Sequence, residues 1–344
     1  MKRMKTTEAV GQVLCHDITQ IIPGVTKDAV FRKGHIIREE DIPVLLSVGK
    51  DSVYIWENDE TMMHENDAAE VLYRMTANEH MHPSDVKEGK IEVIADTEGL
   101  LKVDREKLKK VNAFGEMMIA TRHGNTVVKK GDKLAGTRII PLVIKKDKMQ
   151  EAEKICDGTP ILKILPFTVK KAAIITTGNE VYHGRIKDAF TPVIEQKIAE
   201  FGAEMMFHEI FDDNDRKITD GCLRAIEAGA DIVFCTGGMS VDPDDKTPLA
   251  IKNTGAEMIS YGSPVLPGAM FLLSYYRKSD KVIPICGLPG CAMYNRRTIF
   301  DLVLPRLMAA DPVTADELAS LGEGGLCLNC KVCTFPNCGF GKGW

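Results

Sequence analysis

Residues 231–245 read DIVFCTGGMSVDPDD, an apolar strand-like run that ends in a glycine pair and then in three aspartates. Glycines let backbone N–H groups approach an anion closely, and the hydroxyls of Thr236 and Ser240 add two more donors. Carboxylates such as those of Asp242 and Asp245 are the ligands that Mg²⁺ prefers beside phosphate oxygens. The stretch therefore predicts a phosphate site with a hard cation beside it. The alternative interpretation is a glycine turn followed by an aspartate-rich helix cap.

Two other apolar runs end in similar turns. Residues 172–180 read AAIITTGNE, and residues 282–290 read VIPICGLPG. Between residues 168 and 312 strand-like and helix-like segments alternate, with Gly202 and Gly229 at predicted helix ends. This alternation predicts an α/β fold with a mostly parallel sheet and helices on both faces, a three-layer domain. Because ligands bind outside the carboxyl ends of such strands, the three turns are expected to converge on one pocket.

More carboxylates follow the strand predicted at residues 204–208. Asp212 and Asp213 either cap the helix that is predicted to begin near Arg216, or one of them reaches across to Asp242 and completes a metal or proton-transfer site. The sequence leaves both interpretations open.

With 344 residues, the chain exceeds the usual size of one domain. We predict a small β-rich unit at residues 1–60, an α+β unit at 61–165, the three-layer α/β domain at 166–312, and a linker with a cysteine-rich tail at 313–344. In the first two units the sequence predicts a helix at 39–48 that ends at Gly49, and a second helix for which Asn66 is the N-cap. The helix-like segment 291–308 closes the α/β domain.

Composition excludes several classes of function. The chain has 44 Lys plus Arg against 49 Asp plus Glu, and this net charge of −5 argues against a general nucleic-acid binder or a membrane-surface protein. No apolar run approaches the roughly 20 residues that cross a bilayer, and the first residues lack the apolar stretch of a secretory signal. We therefore expect a cytoplasmic protein, in which six scattered cysteines are reduced core thiols.

Four cysteines near the end of the chain are spaced differently. Cys327, Cys330, Cys333 and Cys338 form a C-x2-C-x2-C-x4-C pattern within twelve residues. Such density in a cytoplasmic chain favours thiolate ligation of Zn²⁺ or of an iron–sulfur cluster. A tetrahedral zinc site and a cubane cluster fit this spacing about equally. The alternative is a disordered tail with reactive thiols, behind the glycine-rich linker at 322–325.

The motifs carry a resemblance to a known family. TTGNE at 176–180, GRIKD at 184–188, DD at 212–213, TGGMSVDPDD at 236–245 and GLPG at 287–290 together resemble the molybdopterin-binding domain of molybdenum cofactor biosynthesis proteins. The N-terminal region with Val10-Gly11, Leu14 and Asp17 is similar to the opening of molybdopterin molybdenumtransferases. The resemblance implies a homodimer that binds molybdopterin or its adenylylated form, and that inserts molybdate with the help of Mg²⁺ while AMP is released.

The resemblance also implies roles for individual residues. The cofactor-binding set would hold the phosphate and pterin portions or form the facing wall: Thr176, Gly178, Glu180, Asp188, Thr236, Gly237, Gly238, Ser240, Gly287, Pro289 and Gly290. Glu180 and Asp188 of this set, together with the catalytic carboxylates Asp213, Asp242 and Asp245, would place Mg²⁺ or direct the transfer.

This chain departs from the family pattern in three places. The family often has D-[ST]-N where residues 188–190 read DAF, and G-L-P-G-N-P where residues 287–292 read GLPGCA, so an asparagine donor is missing twice. The usual P-G-K-P segment reads PGAM at 267–270, which removes a phosphate-binding lysine. Binding of the pterin is compatible with these differences, which bear instead on the transfer chemistry.

Three functions are consistent with the sequence. The first is an enzyme of the molybdenumtransferase type, which we favour. The second is a non-catalytic molybdopterin carrier or sensor, which would bind the pterin without releasing nucleotide. The third is a nucleotide pyrophosphatase of the competence-damage-inducible type, which would need no pterin.

Overall fold

The computed structural model describes residues 2–22, 24, 26–55, 59–243 and 245–343, with the backbone alone at 26 and 27. The chain packs into two compact units. The first comprises the described residues of 1–96, 103–122 and 130–163, and the second those of 97–102, 123–129 and 164–344. The four-part division predicted from the sequence stays a prediction. No helix in the described part of the chain is long and apolar enough to cross a membrane.

The first unit contains short antiparallel sheets. The strands of this unit are β1 (Lys2–Lys5), β2 (Ile18–Ile22), β3 (Thr26–Phe31), β4 (Ser52–Ile55), β5 (Met62–His64), β6 (Met81–Pro83), β7 (Lys90–Ala95), β9 (Met117–Thr121), β11 (Lys133–Ile139) and β12 (Val143–Lys145). Strand β1 pairs with β4, β2 with β3, and β12 with β5. The remaining four form a sheet in the order β6–β7–β11–β9. Its helices are α1 (Asp41–Ser47), α2 (Glu65–Thr76), α3 (Arg105–Ala113) and α4 (Lys146–Cys156).

The predicted cap of the second helix is wrong by two residues. The N-cap of α2 is His64, whose Nδ1 accepts a hydrogen bond of 3.2 Å from the backbone N–H of Asn66. The Asn66 side chain instead accepts from the N–H of Gly89 at 3.0 Å. Asn66 therefore ties α2 to the turn before β7 and leaves the capping to a buried histidine.

The second unit is built on a six-stranded sheet in the order β15–β14–β16–β19–β18–β17. The first four strands of this order are parallel, and the last two continue as antiparallel neighbours. A separate three-stranded sheet has the order β10–β8–β13. The strands are β8 (Gly99–Val103), β10 (Thr126–Val128), β13 (Leu162–Leu165), β14 (Lys171–Thr177), β15 (Glu204–Phe211), β16 (Ile232–Thr236), β17 (Glu257–Tyr261), β18 (Leu272–Lys278) and β19 (Lys281–Leu288). The helices are α5 (Asn179–Tyr182), α6 (Phe190–Ala199), α7 (Asp215–Glu227), α8 (Thr247–Asn253), α9 (Ile299–Met308) and α10 (Ala315–Ser320).

Helices cover both faces of this sheet, as the alternation of side chains along the strands requires. On β16, Ile232 and Phe234 pack with α6 and α9, whereas Val233 and Cys235 pack with α7 and α8 on the other face. Strands buried on both faces read as continuous apolar runs. The predicted three-layer α/β domain with a mostly parallel sheet is confirmed. Gly202 and Gly229 have positive φ angles of 66° and 101° where α6 and α7 end, as expected for helix ends.

Two features of this unit were not predicted. The antiparallel strands β17 and β18 carry no local signal that predicted them, and the single helix predicted at 291–308 is two separate segments. In the structure a 3₁₀ helix occupies Gly290–Met293, and α9 begins at Ile299. Thr298 and Asp301 form a capping box there, which fixes the start of α9.

The cysteine-rich tail is packed against the second unit. Phe340 is only 5 % exposed and lies in the core formed with α6 and α9, and Phe335 and Cys338 pack against that core. The backbone N–H of Leu266 donates to the carbonyl of Gly325 at 2.8 Å. The alternative of a disordered tail therefore does not describe this segment.

The core of the α/β domain provides a stability test. Phe234 is fully buried and makes an edge-to-face contact with Phe300, with ring centroids 5.3 Å apart. We expect Phe234→Ala to lower the free energy of unfolding by about 3–5 kcal/mol, because it leaves a cavity at the centre of the sheet. The control is Val241→Ala, at a side chain that is 86 % exposed, which we expect to change it by less than about 0.5 kcal/mol. Urea denaturation measures both; equal effects would contradict this packing.

Candidate functional site

The predicted site segments meet at one edge of the six-stranded sheet. Strands β14, β15, β16 and β19 are parallel, so their carboxyl ends lie on the same side. The connection after β14 leads to α6 on one face, whereas the connection after β16 leads to α8 on the other face. The neighbouring strands β14 and β16 therefore flank a topological switch point, where α/β proteins form their ligand crevices.

The glycine pair after β16 is required by the close approach of β14. Gly237 has a φ of +82°, and a Cβ atom there would lie 2.1 Å from the carbonyl oxygen of Thr177. Gly238 has a φ of +55°, and its Cβ would lie 2.8 Å from the Thr247 hydroxyl oxygen. Both positions thus exclude larger residues by conformation and by space. The result is a half-buried glycine backbone turn at the switch point, of the kind that binds anions.

Two threonines hold this turn in place. The Thr247 hydroxyl donates to the carbonyl of Gly237 at 2.8 Å, and the Thr177 and Thr247 hydroxyl oxygens are 3.0 Å apart. The backbone N–H of Thr247 donates to the carbonyl of Gly238 at 3.2 Å. From the other side, the Tyr261 hydroxyl donates to the carbonyl of Met239 at 2.9 Å. Burial and the nearby Asp245 carboxylate raise the pKa of Tyr261, which keeps it a donor.

Asp188 is held by donors around the start of α6. Its Oδ1 accepts from the backbone N–H groups of Phe190 at 2.8 Å and Thr191 at 3.2 Å. Its Oδ2 accepts from the hydroxyls of Thr191 at 2.6 Å and Thr176 at 2.9 Å, and lies 3.5 Å from the His208 ring nitrogen. Burial raises the pKa of Asp188, but the hydrogen bonds from Thr191, Thr176 and Phe190 outweigh it, and the pKa is lowered overall. Asp188 therefore joins the end of β14 to α6 as a fixed carboxylate.

The aspartates after β15 have separate partners. Asp213 accepts a hydrogen bond of 3.1 Å from the backbone N–H of Asn179, in the turn after β14. Asp212 forms a 2.9 Å ion pair with Lys217. The cap of α7 is neither of them but Asn214, whose side chain accepts from the N–H of Lys217. The capping interpretation of Asp212 and Asp213 is therefore wrong, and Asp213 ties two site loops together.

The other predicted residues differ in accessibility. Glu180, Ser240, Asp242 and Gly290 are exposed, Asp245 is half-buried, and Thr236 and Pro289 are buried. The Thr236 hydroxyl oxygen is buried without a hydrogen-bond partner. At Gly287 a Cβ would lie 2.5 Å from the Met239 side chain, so a glycine there lets the β19 wall reach the turn. Gly178, with a φ of +131°, precedes α5. Asp244 lies outside the described residues.

Asp242 and Asp245 lie on one tight turn, since the backbone N–H of Asp245 donates to the carbonyl of Asp242 at 2.9 Å. Within the described residues no group of three or more His, Cys, Asp or Glu side chains could by itself hold a metal ion. Mg²⁺ usually takes only one or two protein carboxylates and completes its shell with water and substrate phosphates. The two accessible carboxylates beside the glycine turn fit such shared binding.

Sequence reasoning missed four residues that shape the site: Thr177, Thr191, His208 and Thr247. Each carries a hydroxyl or ring nitrogen whose hydrogen-bond partner lies 3 to 70 residues away in the chain. Thr191 was identifiable from its place in the first turn after Asp188. The partners of the other three depend on strand order, which the local sequence does not carry.

The glycine turn yields a test with a matched control. We expect Gly237→Ala to lower the free energy of unfolding by about 2 kcal/mol or more, because of its positive φ and its overlap with Thr177. Gly290→Ala is the control, since no atom lies within 4 Å of its Cβ position. Thermal and urea denaturation compare the two. A Gly237→Ala variant as stable as Gly290→Ala would show that β14 and β16 do not approach this closely.

Asp188 predicts a dependence on pH. The pKa of Asp188 is lowered in the folded state. Its contribution to the free energy of unfolding is therefore complete above the unfolded-state pKa of 3.8 and is lost as the pH falls below that pKa. Asp188→Asn should therefore cost about 2 kcal/mol near pH 7 and progressively less on acidification below about pH 4. Asp242→Asn, at an exposed carboxylate, is the control. The free energy of unfolding is measured against pH for each variant. If it falls in parallel for wild type and Asp188→Asn, the hydrogen bonds to Asp188 do not make this contribution.

Two parts of this chain match known protein families. The model of the family described as "Probable molybdopterin binding domain" matches residues 173–309, and that of a domain of unknown function (DUF8806) matches residues 3–57. A putative competence-damage inducible protein of Bacillus cereus (strain B4264) is 25 % identical over 129 residues, 38 % of this chain and 30 % of its own length. The chain thus spans about a third of that curated relative.

Among solved structures, the tungsten cofactor synthesizing protein MoaB from Pyrococcus furiosus is similar to this chain, with 20 % identity and a TM-score of 0.33. The similar region covers 41 % of this chain and 89 % of that protein. The protein CinA from Thermoplasma acidophilum, described as of unknown function, covers 40 % of this chain and 98 % of its own, with 16 % identity and a TM-score of 0.33. The matched family region begins within β14 and ends just after α9, and so contains the switch point and its glycine turn. Residues 173–309 of this chain are a domain of the molybdopterin-binding family, of the type found in molybdenum cofactor biosynthesis.

Proposed function

We propose that the crevice between β14 and β16 binds molybdopterin through its phosphate, and that the chain acts on the adenylylated form as a molybdenumtransferase. The observation that carries this proposal is the glycine turn at Gly237 and Gly238, held against Thr177 at the switch point of a molybdopterin-binding domain. The turn offers backbone N–H groups to an anion, and the β19 wall approaches it at Gly287 without a side chain.

The proposed reaction cleaves the phosphoanhydride bond of adenylylated molybdopterin. Water supplies the oxygen to phosphorus and AMP leaves, while the two dithiolene sulfurs replace two oxygens of molybdate, which depart as water with no change of oxidation state. A Mg²⁺ ion would stabilise the charge that develops on the leaving phosphate. Asp242 and Asp245 would hold this ion, because they are accessible and adjoin the turn.

The structure favours different roles for the remaining carboxylates. Asp188 and Asp213 accept hydrogen bonds from backbone groups of the surrounding loops. We therefore propose that they fix the positions of the β14 loop and α6, while Asp242 and Asp245 contact the ion. The predicted contact of Asp213 with the reacting groups stays a prediction, as does the predicted homodimer.

Release of AMP tests this proposal. Purified protein is mixed anaerobically with adenylylated molybdopterin, Mg²⁺ and molybdate, and AMP is followed by chromatography. We expect Asp242→Asn and Asp245→Asn to slow molybdate-dependent release by about 100-fold or more, because the ion loses a ligand. Asp280→Asn is the control, since Asp280 is an exposed aspartate in the turn before β19, at the opposite end of that strand from the site.

Each other outcome selects a different function. Tight pterin binding without AMP release would contradict the transferase and make the chain a carrier or sensor. Hydrolysis of a dinucleotide pyrophosphate without any pterin binding would instead assign the activity to the competence-damage-inducible type, to which the Bacillus cereus relative's name refers.

A further inference from the structure

The four tail cysteines line a single cavity. Cys327, Cys330, Cys333 and Cys338 all contribute to a cavity of about 250 Å³ in the second unit. Phe335, Phe340 and Leu326 make much of the remaining wall apolar. The C-x2-C-x2-C-x4-C spacing therefore places its four sulfur-bearing side chains around one space, which the sequence pattern alone did not establish.

Both ends of the cysteine segment are anchored to the domain. The backbone N–H of Cys327 donates to the carbonyl of Leu266 at 2.8 Å. Beyond Cys338, the Phe340 side chain is buried in the core, and the N–H of Gly341 donates to the carbonyl of Gly324 at 3.0 Å. Cys327 and Cys338 are accordingly half-buried, whereas Cys330 and Cys333 between them are exposed. The fold thus holds the outer two sulfurs and leaves the inner two accessible.

A cationic side chain faces the same cavity. Arg297 lines it, and its guanidinium lies over the Phe335 ring at 4.8 Å and donates to Asp301 at 2.8 Å. The Nε atom of Arg297 is buried without a hydrogen-bond partner. A buried donor without an acceptor is costly, and four thiolates around a metal centre are anionic. Arg297 therefore places a cationic side chain where it would offset the negative charge of such a centre.

The cavity and the arrangement of the sulfurs around it favour one of the two kinds of centre. In a Zn²⁺ site with four cysteines, Zn–S distances of about 2.3 Å bring the sulfurs within about 3.8 Å of one another, which leaves no cavity between them. An iron–sulfur cluster itself fills the space between its ligands. We propose that Cys327, Cys330, Cys333 and Cys338 bind one iron–sulfur cluster of the [4Fe–4S] type, with Arg297 as its charge partner. Among the described residues the four sulfurs do not form a ready group for a single ion, which favours a centre large enough to span the space between them.

Anaerobic reconstitution of the full chain with ferrous iron and sulfide tests this proposal. We expect about four iron atoms and four sulfides per chain, a visible absorption band that bleaches on reduction, and a paramagnetic signal in the reduced state. Loading should also raise the melting temperature, because the cluster binds the folded chain. None of these readouts depends on pterin binding, so failure here and failure of the proposed function are distinguishable.

Two exposed ligands supply the variants. Cys330→Ser and Cys333→Ser replace exposed side chains, so we expect them to fold as the wild type does by circular dichroism and to lose most of the bound iron. Cys291→Ser is the control, at a half-buried cysteine that does not line the cavity, and it should retain the full content. Wild type that holds no more iron than Cys330→Ser would overturn the proposal. One tightly bound zinc per chain that iron and sulfide do not replace would overturn it as well.

Discussion

The close approach of two strand ends is the constraint on which the candidate site depends. Strands β14 and β16 are neighbours in the sheet, and a Cβ at Gly237 would lie only 2.1 Å from the Thr177 carbonyl oxygen. Only glycine can follow β16 there, and the turn that results presents its backbone rather than side chains. The Thr247 hydroxyl, which contacts the Thr177 hydroxyl, stabilises the turn by donating a hydrogen bond to the carbonyl of Gly237. The exposed carboxylate of Asp242 follows this turn, and the glycine wall of β19 approaches it at Gly287.

Much of the α/β domain could be predicted because its signals are local. The apolar runs that became β14, β16 and β19 end in glycine turns, and Gly202 and Gly229 mark helix ends. The antiparallel strands β17 and β18 were not predicted. Whether such strands join the edge of a parallel sheet depends on their hydrogen bonds to neighbouring strands, which the local sequence does not show. The 3₁₀ helix before α9 was likewise absorbed into one helical pattern, although the capping box at Thr298 marks the true start.

Within the site, residue types were easier to predict than roles. The sequence placed Asp188, Asp213 and Asp242 in one acidic group. In the structure, Asp188 and Asp213 accept hydrogen bonds from neighbouring loops, whereas Asp242 is exposed. That difference comes from partners such as Thr176 and Asn179, which the sheet order brings near them. The tail shows the same limit, because the cysteine spacing was visible in the sequence but its anchoring through Phe340 was not.

In the proposed complex, the phosphate of molybdopterin binds the glycine turn between β14 and β16. Backbone amide NMR of the labelled protein during titration with molybdopterin follows this contact residue by residue. We expect the largest shifts, with slowed amide exchange, at Gly237, Gly238 and the residues up to Ser240, followed by those of the turn after β14. Saturable binding with shifts confined to residues outside these two turns would contradict it.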